Sequence, residues 1–126
     1  MTPTHALENL PLAALPQIAS YFQVLAEPTR LHMLSLLAAE EQNVGDLART
    51  VGTSVANASR HLAILCQNGF ISRESRGNSV YYRIADGSVQ ALCDVVCGSI
   101  VSRYQDMARQ QAAFSPLLDT TQESSV

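Results

Sequence analysis

The first half of the chain carries apolar residues at helical spacing, one every three or four positions. This pattern predicts four helices in succession. The first two begin near Pro16 and Pro28, because proline is tolerated in the first turn of a helix. A short third helix fits residues 44–52, and a fourth fits residues 54–67 after a tight link.

The pattern then changes to one typical of β-strands. Two β-rich runs, Phe70–Glu74 and Val80–Ile84, flank the turn "SRGNS" and predict a hairpin. Helical spacing returns from Asp86 to about Ala113. The order α-α-α-α-β-β-α contains a short helix, a tight turn, a second helix and a hairpin. It predicts a winged helix-turn-helix, a mainly α fold with a β-hairpin.

The fourth predicted helix has an apolar side and a polar side. Wound at about 100° per residue, it turns Val55, Ala58, Leu62 and Leu65 toward the core. The other positions carry small or hydrogen-bonding residues, namely Ser54, Ala56, Asn57, Ser59, Arg60 and His61. Arginine can bind guanine O6 and N7 with two hydrogen bonds, and asparagine can bind adenine N6 and N7 in the same way. In a helix-turn-helix, this pattern predicts a helix that reads DNA, although an ordinary surface helix shares the pattern.

The distribution of charge favours the same interpretation. The formal net charge is −3 and the chain contains no lysine. Residues 49–83 nevertheless hold five of the eight arginines and one acidic residue, Glu74. A basic middle segment can contact phosphates. Within it, Arg76 and Asn78 of the hairpin turn are candidates for contacts to the DNA backbone or an adjacent minor groove, and a solvated surface is the alternative.

Two stretches carry a resemblance to a known family. "LAEPTRLHMLSLLA" and "VGDLARTVGTSVANASRHLAILCQNGFISRESRGNSVYYRIA" resemble, in order and spacing, the ArsR/SmtB family of bacterial transcriptional repressors. The resemblance implies a non-enzymatic homodimer, joined through its first and last helices, that binds a palindromic operator and releases it when an effector binds. It also implies DNA contacts from Ser54, Asn57, Ser59, Arg60 and His61.

The domain organisation follows from this resemblance and from the two ends of the sequence. We expect residues 16–113 to form a winged-helix domain for DNA binding and dimerisation. Residues 1–15 are predicted to be a loose N-terminal segment and residues 114–126 a flexible tail, because both ends are polar or interrupted by proline. No apolar run is long enough to span a bilayer and no secretory signal opens the chain, so we expect a cytoplasmic protein without a membrane partner.

Three effector sites known in the family lack most of their ligands here. Ligand residues are replaced at the cysteine site at the start of the third helix, at the zinc or cobalt site on the last helix, and at the second-helix cysteine of the persulfide sensors. The positions concerned are Val44 and Gly45 for the first site, Ser88, Ser99 and Ser102 around a retained Asp86 for the second, and Ser35 for the third.

Cys93 and Cys97, one turn apart on the last helix, are therefore the candidate effector site. Thiolates prefer soft ions such as As(III), Sb(III), Cd(II) or Cu(I), and no cofactor is otherwise required. A third sulfur would come from a small thiol, from the second subunit or from Cys66. Alternatives stay open: a persulfide or other redox sensor, or two cysteines that only pack. A thiol oxidoreductase would need Cys-x-x-Cys at the start of a helix.

Overall fold

The computed structural model describes the backbone of residues 6–124 and the side chains of residues 7–118. The chain divides into two compact units, with the boundary between Gly87 and Ser88. Five α-helices and three strands follow the order predicted from the sequence, except that a short, unpredicted strand lies between the second and third helices. They are α1 (Leu15–Leu25), α2 (Pro28–Ala39), β1 (Gln42–Asn43), α3 (Val44–Val51), α4 (Val55–Gln67), β2 (Ile71–Arg76), β3 (Ser79–Ile84) and α5 (Ser88–Ser124).

The prolines open their helices as the sequence predicts. Pro16 lies in the first turn of α1, and Pro28 is the first residue of α2. Glu27 caps α2, because its carboxylate accepts a hydrogen bond from the backbone N–H of Arg30 at 2.9 Å. A negative side chain at this end is also favoured by the helix dipole. The sequence therefore fixes the start of α2 through residues that are adjacent in the chain.

The core of the first unit joins α2, α3, α4 and the start of β2. Its largest fully buried side chains are Phe70, Met33, Leu47, Leu62 and Leu65. The ring of Tyr21 meets that of Phe70 edge to face, with the ring centroids 4.8 Å apart. This arrangement favours the attraction between a ring edge and a ring face and fixes α1 against the core.

One predicted core position on α4 is wrong. Ala58, Leu62 and Leu65 are completely buried, as the apolar spacing predicts, but the side chain of Val55 is half exposed. Val55 is the first residue of α4 and follows the turn directly. A helix buries its apolar side only where a neighbouring element covers it, and that cover begins at Ala58.

The hairpin belongs to a three-stranded antiparallel sheet with the strand order β1-β3-β2. Strand β1 is not predicted from the sequence, because its two residues are too few to show alternation; they pair with Tyr81 and Tyr82. Arg76 pairs with Ser79, so a two-residue loop closes the hairpin. Gly77 has a φ of 61°, and Asn78 follows with a negative φ. This combination is typical of a type II′ turn, which suits the twist of the strands.

The last helix is longer than the sequence predicts. It continues to Ser124 instead of ending near Ala113, and Pro116 lies inside it. Residues 114–124, predicted to be a flexible tail, thus have a helical backbone. Residues 6–9 and 12–14 of the predicted loose N-terminal segment form short 3-10 helices, whereas residues 1–5 lie outside the described part of the chain. No helix among the described residues is long and apolar enough to cross a membrane.

Candidate DNA-binding surface and cysteine pair

The link between α3 and α4 is fixed at both ends by local hydrogen bonds. Helix α3 ends at Gly52, whose φ of 82° is the left-handed conformation that glycine adopts without strain. The hydroxyl of Ser54 then accepts a hydrogen bond from the backbone N–H of Asn57 at 3.1 Å and caps α4. Such a cap stabilises a helix by about 1 kcal/mol. The turn therefore presents α4 at a defined angle, as a helix-turn-helix requires.

Three polar side chains form a chain of hydrogen bonds along the outer side of α4. The amide nitrogen of Asn57 donates to the hydroxyl of Thr53 at 2.7 Å. The amide oxygen of Asn57 accepts a hydrogen bond from the guanidinium of Arg60. Arg60 and Ser59 are exposed, and Asn57 is half-buried. A guanidinium that is held but exposed can meet a base edge or a phosphate.

His61, in contrast, lies against the start of α2. Its side chain is 13% exposed, with Nδ1 3.7 Å from a carboxylate oxygen of Glu27 and 3.4 Å from a guanidinium nitrogen of Arg30. Arg30 also donates from Nε to the carbonyl of Val24 at 2.7 Å. The backbone N–H of Arg30 and the nearby His61 help hold the pKa of Glu27 below its ordinary value. His61 thus joins α4 to the α1–α2 junction.

Arg76 is held by acidic side chains at the end of the hairpin. Its guanidinium forms ion pairs with Glu41 and Glu74 and lies 4.9 Å from the centre of the Tyr81 ring. The hydrogen bonds that it donates to both carboxylates raise its pKa further above the ordinary arginine value. Asn78, in the two-residue loop, is exposed. Of the two predicted wing contacts, Asn78 is open to solvent and Arg76 has protein partners.

Cys93 and Cys97 both lie on α5, one turn apart, and both are free thiols. Residues four apart on a helix have Cβ atoms about 5–6 Å apart, so two thiolates can reach one ion. Cys93 is half-buried and Cys97 is exposed. Burial, followed by the neighbouring Cys97 and Asp94, raises the pKa of the Cys93 thiol. Cys93 is therefore protonated at neutral pH, and an ion must displace that proton.

A single chain does not supply a complete metal site in the part that the structure describes. No group of three or more His, Cys, Asp or Glu side chains is close enough there to hold an ion. Cys66, the third cysteine, is on α4 in the first unit. The two thiols of α5 are thus two candidate ligands on one helix.

Comparison with known proteins identifies the family. The family described as "Bacterial regulatory protein, arsR family" matches residues 27–73, from the N-cap of α2 into β2. The HTH-type transcriptional regulator Rv0081 of Mycobacterium tuberculosis is 33% identical over 90 residues, which are 71% of this chain and 77% of that protein. The chain belongs to the ArsR family. The crystal structure of Rv0081 matches with a TM-score of 0.68 and 30% identity, over 78% of this chain and 97% of that one.

Other members of the ArsR family show what such proteins do. A homolog of the transcriptional repressor SmtB from Synechocystis is 36% identical over 68% of this chain. A probable mercury resistance operon repressor from Streptomyces lividans is 31% identical over 59% of it. The matches span 64% and 59% of the length of these two relatives. Both relatives are described as repressors, the class of protein that the sequence predicts for this chain.

A solved structure in the comparison is dimeric. The solution structure of the homodimeric winged helix-turn-helix DNA-binding domain of Mb0332, from Mycobacterium bovis, matches with a TM-score of 0.64 and 31% identity. The match covers 82% of this chain and 91% of that domain. The winged helix-turn-helix predicted from the sequence is thereby confirmed as the fold.

Proposed function

We propose that this ArsR-family protein is a homodimeric repressor that binds an operator through α4 and releases it when a thiophilic effector binds α5. The observation that carries the DNA-binding part is the outer side of α4. Exposed Ser59 and Arg60 lie there beside Asn57, on a helix that buries Ala58, Leu62 and Leu65 completely on its opposite side. A rigid helix with hydrogen-bonding groups at its N-terminal half suits the major groove.

The individual roles differ with the environment of each residue. We assign base or phosphate contacts to Ser54, Asn57, Ser59 and Arg60, with a further contact from Asn78 in the wing. His61 is better placed to orient α4 than to meet DNA, because its side chain is largely buried against α2. Arg76, also predicted to contact DNA, can reach a phosphate only by giving up its ion pairs with Glu41 and Glu74.

The proposed dimer rests on the exposed apolar side chains of α1 and α5. A patch of exposed large apolar side chains usually marks a surface that another molecule covers. Two copies joined by a two-fold axis would present two copies of α4 to two half-sites, so we expect a palindromic operator. The homodimer of Mb0332 supports this proposal. The side chains concerned are Phe22 on α1 and Val96, Ile100, Val101, Tyr104 and Met107 on α5.

The effector part of the proposal concerns Cys93 and Cys97. Two thiolates select soft ions such as As(III), Sb(III) or Cd(II), and a relative described as a probable mercury resistance repressor supports this class. A second subunit or a small thiol would complete the coordination. Because Cys93 is protonated at neutral pH, we expect the affinity for the ion to rise with pH.

The test is DNA binding with and without the effector. Fluorescence anisotropy on DNA from the promoter of the protein's own gene would be measured with As(III), Sb(III), Cd(II) and a persulfide donor in separate titrations. We expect at least one to release the wild type but not the Cys93→Ser/Cys97→Ser double variant. Cys66→Ser is the matched control and should respond like the wild type. Equal release of the wild type and the double variant would disprove the role of the pair.

A second candidate is a repressor of the same family whose two cysteines bind no effector. The half-burial and raised pKa of Cys93 favour it, because a protonated thiol is a weak nucleophile and a weak metal ligand. Tight DNA binding that none of the ions or persulfide changes would select this candidate. Release by persulfide alone would instead identify a redox sensor.

A further inference from the structure

A cavity of about 380 Å³ lies beside α4, on the flank that faces the hairpin. Its walls come from the start of α3, from α4 and from the inner face of β2 and β3, so all of it belongs to the first unit. Val44, Ala63 and Val80 form an apolar part, and Ser59, Arg73 and Tyr82 contribute polar groups. The volume falls within the range typical of small-molecule sites, about 300–1,000 Å³.

The strand register brings Arg73 and Tyr82 together. Arg73 of β2 is paired directly with Tyr82 of β3, and Val80 is two residues away on the same face. Side chains of directly paired residues have Cβ atoms about 4.5–5.5 Å apart. The guanidinium and the phenol therefore face the cavity side by side.

Arg73 is unlike the other four arginines of residues 49–83. Those four contact Asp46, Asn57, Ser72, or Glu41 and Glu74. Among the described residues, the guanidinium of Arg73 has neither a hydrogen bond nor an ion pair. No carboxylate belongs to the described residues that line the cavity. The charge of Arg73 is thus available to an anion.

Tyr82 provides a second unused donor. Its side chain lines the cavity while the residue as a whole is 6% exposed, and its hydroxyl makes no hydrogen bond within the described residues. Burial raises the pKa of this phenol above its ordinary value, so the hydroxyl keeps its proton. Since no buried side-chain donor among the described residues lacks a partner, this hydroxyl is accessible from the cavity, where a ligand oxygen can accept its hydrogen bond.

Gln67 and Cys66 also line the cavity, and Cys66 does so without adding negative charge. Burial raises the pKa of its thiol, and the nearby Arg73 only partly opposes this effect. The thiol is therefore neutral at pH 7 and does not repel an anion. Because the thiolate is disfavoured, a reversible ligand fits the cavity better than one that forms a covalent bond to sulfur.

We propose that this cavity binds a small organic carboxylate. The carboxylate accepts hydrogen bonds from the guanidinium of Arg73 and the hydroxyl of Tyr82, a charge-assisted arrangement that arginine suits well. The apolar part of the ligand packs against Val44, Ala63 and Val80. Neither Cys93 nor Cys97 takes part, so this site is distinct from the proposed effector site on α5.

The position of the cavity links the ligand to DNA binding. Ser59, a proposed DNA contact, lines the cavity, and the wing forms its opposite wall. A bound carboxylate therefore occupies space beside the reading helix and places a negative charge near DNA phosphates. We expect it to weaken DNA binding, and DNA to weaken carboxylate binding by the same factor. This coupling rests on the proposed DNA-binding function, whereas the carboxylate site itself does not.

The site is tested by titrating the full-length protein, without DNA, with benzoate and with hexanoate. Heteronuclear NMR would report the affinity and the signals that move. We expect saturable binding of at least one of them, with shifts at Arg73 and Tyr82, and no binding of the neutral isostere benzamide. Arg73→Gln should weaken binding about tenfold or more, and Tyr82→Phe severalfold, since each removes a donor to a charged group.

Arg83→Gln is the matched control, because Arg83 lies on β3 with its side chain bonded to Ser72 on the opposite face. It should bind the carboxylate like the wild type, and thermal melts would show that all variants fold. No saturable binding of either carboxylate, or equal affinity in Arg73→Gln, would overturn the site. Inorganic phosphate binding as tightly as both carboxylates would reduce it to an unselective anion site and overturn the role of the apolar wall.

The coupling is measured separately, in the Cys93→Ser/Cys97→Ser variant, so that the thiol pair cannot contribute. We expect benzoate or hexanoate, whichever binds, to lower the affinity for promoter DNA in this variant and to have no effect after a further Arg73→Gln substitution. Carboxylate binding that leaves DNA affinity unchanged would overturn the coupling. A protein that binds no promoter DNA at all would overturn the proposed function, while the NMR result would still stand.

Discussion

Replacing Arg60 by alanine should weaken operator binding without destabilising the protein. Arg60 is exposed on α4, and its guanidinium donates a hydrogen bond to Asn57 of the same helix. Exposed substitutions of this kind usually change the free energy of unfolding by less than about 0.5 kcal/mol. Any larger loss in DNA affinity therefore reports on the interface rather than on the fold.

The magnitude follows from the hydrogen bonds that Arg60 exchanges. A bidentate contact from arginine to guanine discriminates against the wrong base by about 1–3 kcal/mol. To make it, the guanidinium gives up its bond to Asn57, and an exposed interaction of a charged side chain is worth about 0.2–1 kcal/mol. A net loss near 1–2 kcal/mol is expected for Arg60→Ala, or roughly 5-fold to 30-fold in affinity.

The assay is fluorescence anisotropy at several salt concentrations, with the operator and with unrelated DNA of equal length. Arg60→Ala should reduce the preference for the operator and leave binding to unrelated DNA nearly unchanged. Arg60→Lys keeps the charge but loses the planar fork, so it should lose most of the same preference. Equal weakening on both DNAs, together with a shallower salt dependence, would identify a phosphate contact and refute base readout.

Three further predictions concern stability, measured by urea unfolding. Leu62→Ala should cost about 2–5 kcal/mol, because Leu62 is completely buried, whereas Leu12→Ala, at an 82% exposed position, should change little. Gly52→Ala should cost about 1–2 kcal/mol through its φ of 82° alone, since no atom lies within 4 Å of the added methyl group; Gly52→Asn should cost less, and equal costs would contradict this reasoning. The raised pKa of Cys93 favours the folded state below the unfolded thiol pKa near 9.0, and this contribution is lost as pH rises through the folded pKa. Cys93→Ser should therefore lose less stability than the wild type in alkali.

Local signals in the sequence were sufficient to locate most of the helix-turn-helix. The start of α4 after a tight link and the burial of Ala58, Leu62 and Leu65 follow from short-range spacing, and the structure agrees with both. Val55 fits the same apolar spacing but is exposed. Periodicity predicts which side of a helix is apolar, but not how far along the helix neighbouring elements cover that side. The two-residue strand β1 carries no periodic signal and depends on pairing with a strand almost forty residues away.

The environment of the site residues depended on contacts that the sequence does not reveal. The position of His61 on α4 predicts a DNA contact, yet its partners Glu27 and Arg30 are more than thirty residues away in the chain. The cavity beside α4 was missed for a similar reason, since Arg73 and Tyr82 become neighbours only through the hairpin register. The proline and the polar residues after Ala113 predict that the last helix ends near that residue, whereas α5 continues through Pro116 to Ser124.

The double role of Asn43 limits how this protein can change shape. Asn43 pairs with Tyr81 in the sheet, and its side chain accepts the backbone N–H of Asp46 at 2.8 Å to cap α3. The ion pair between Arg76 and Glu41 adds a second tie between the hairpin and the segment before α3. The wing is thus not a free arm: a hinge between it and the helix-turn-helix would have to break both ties. A signal that ends DNA binding is therefore expected to move each α3–α4–wing block as one rigid piece and to alter the distance between the two blocks of a dimer.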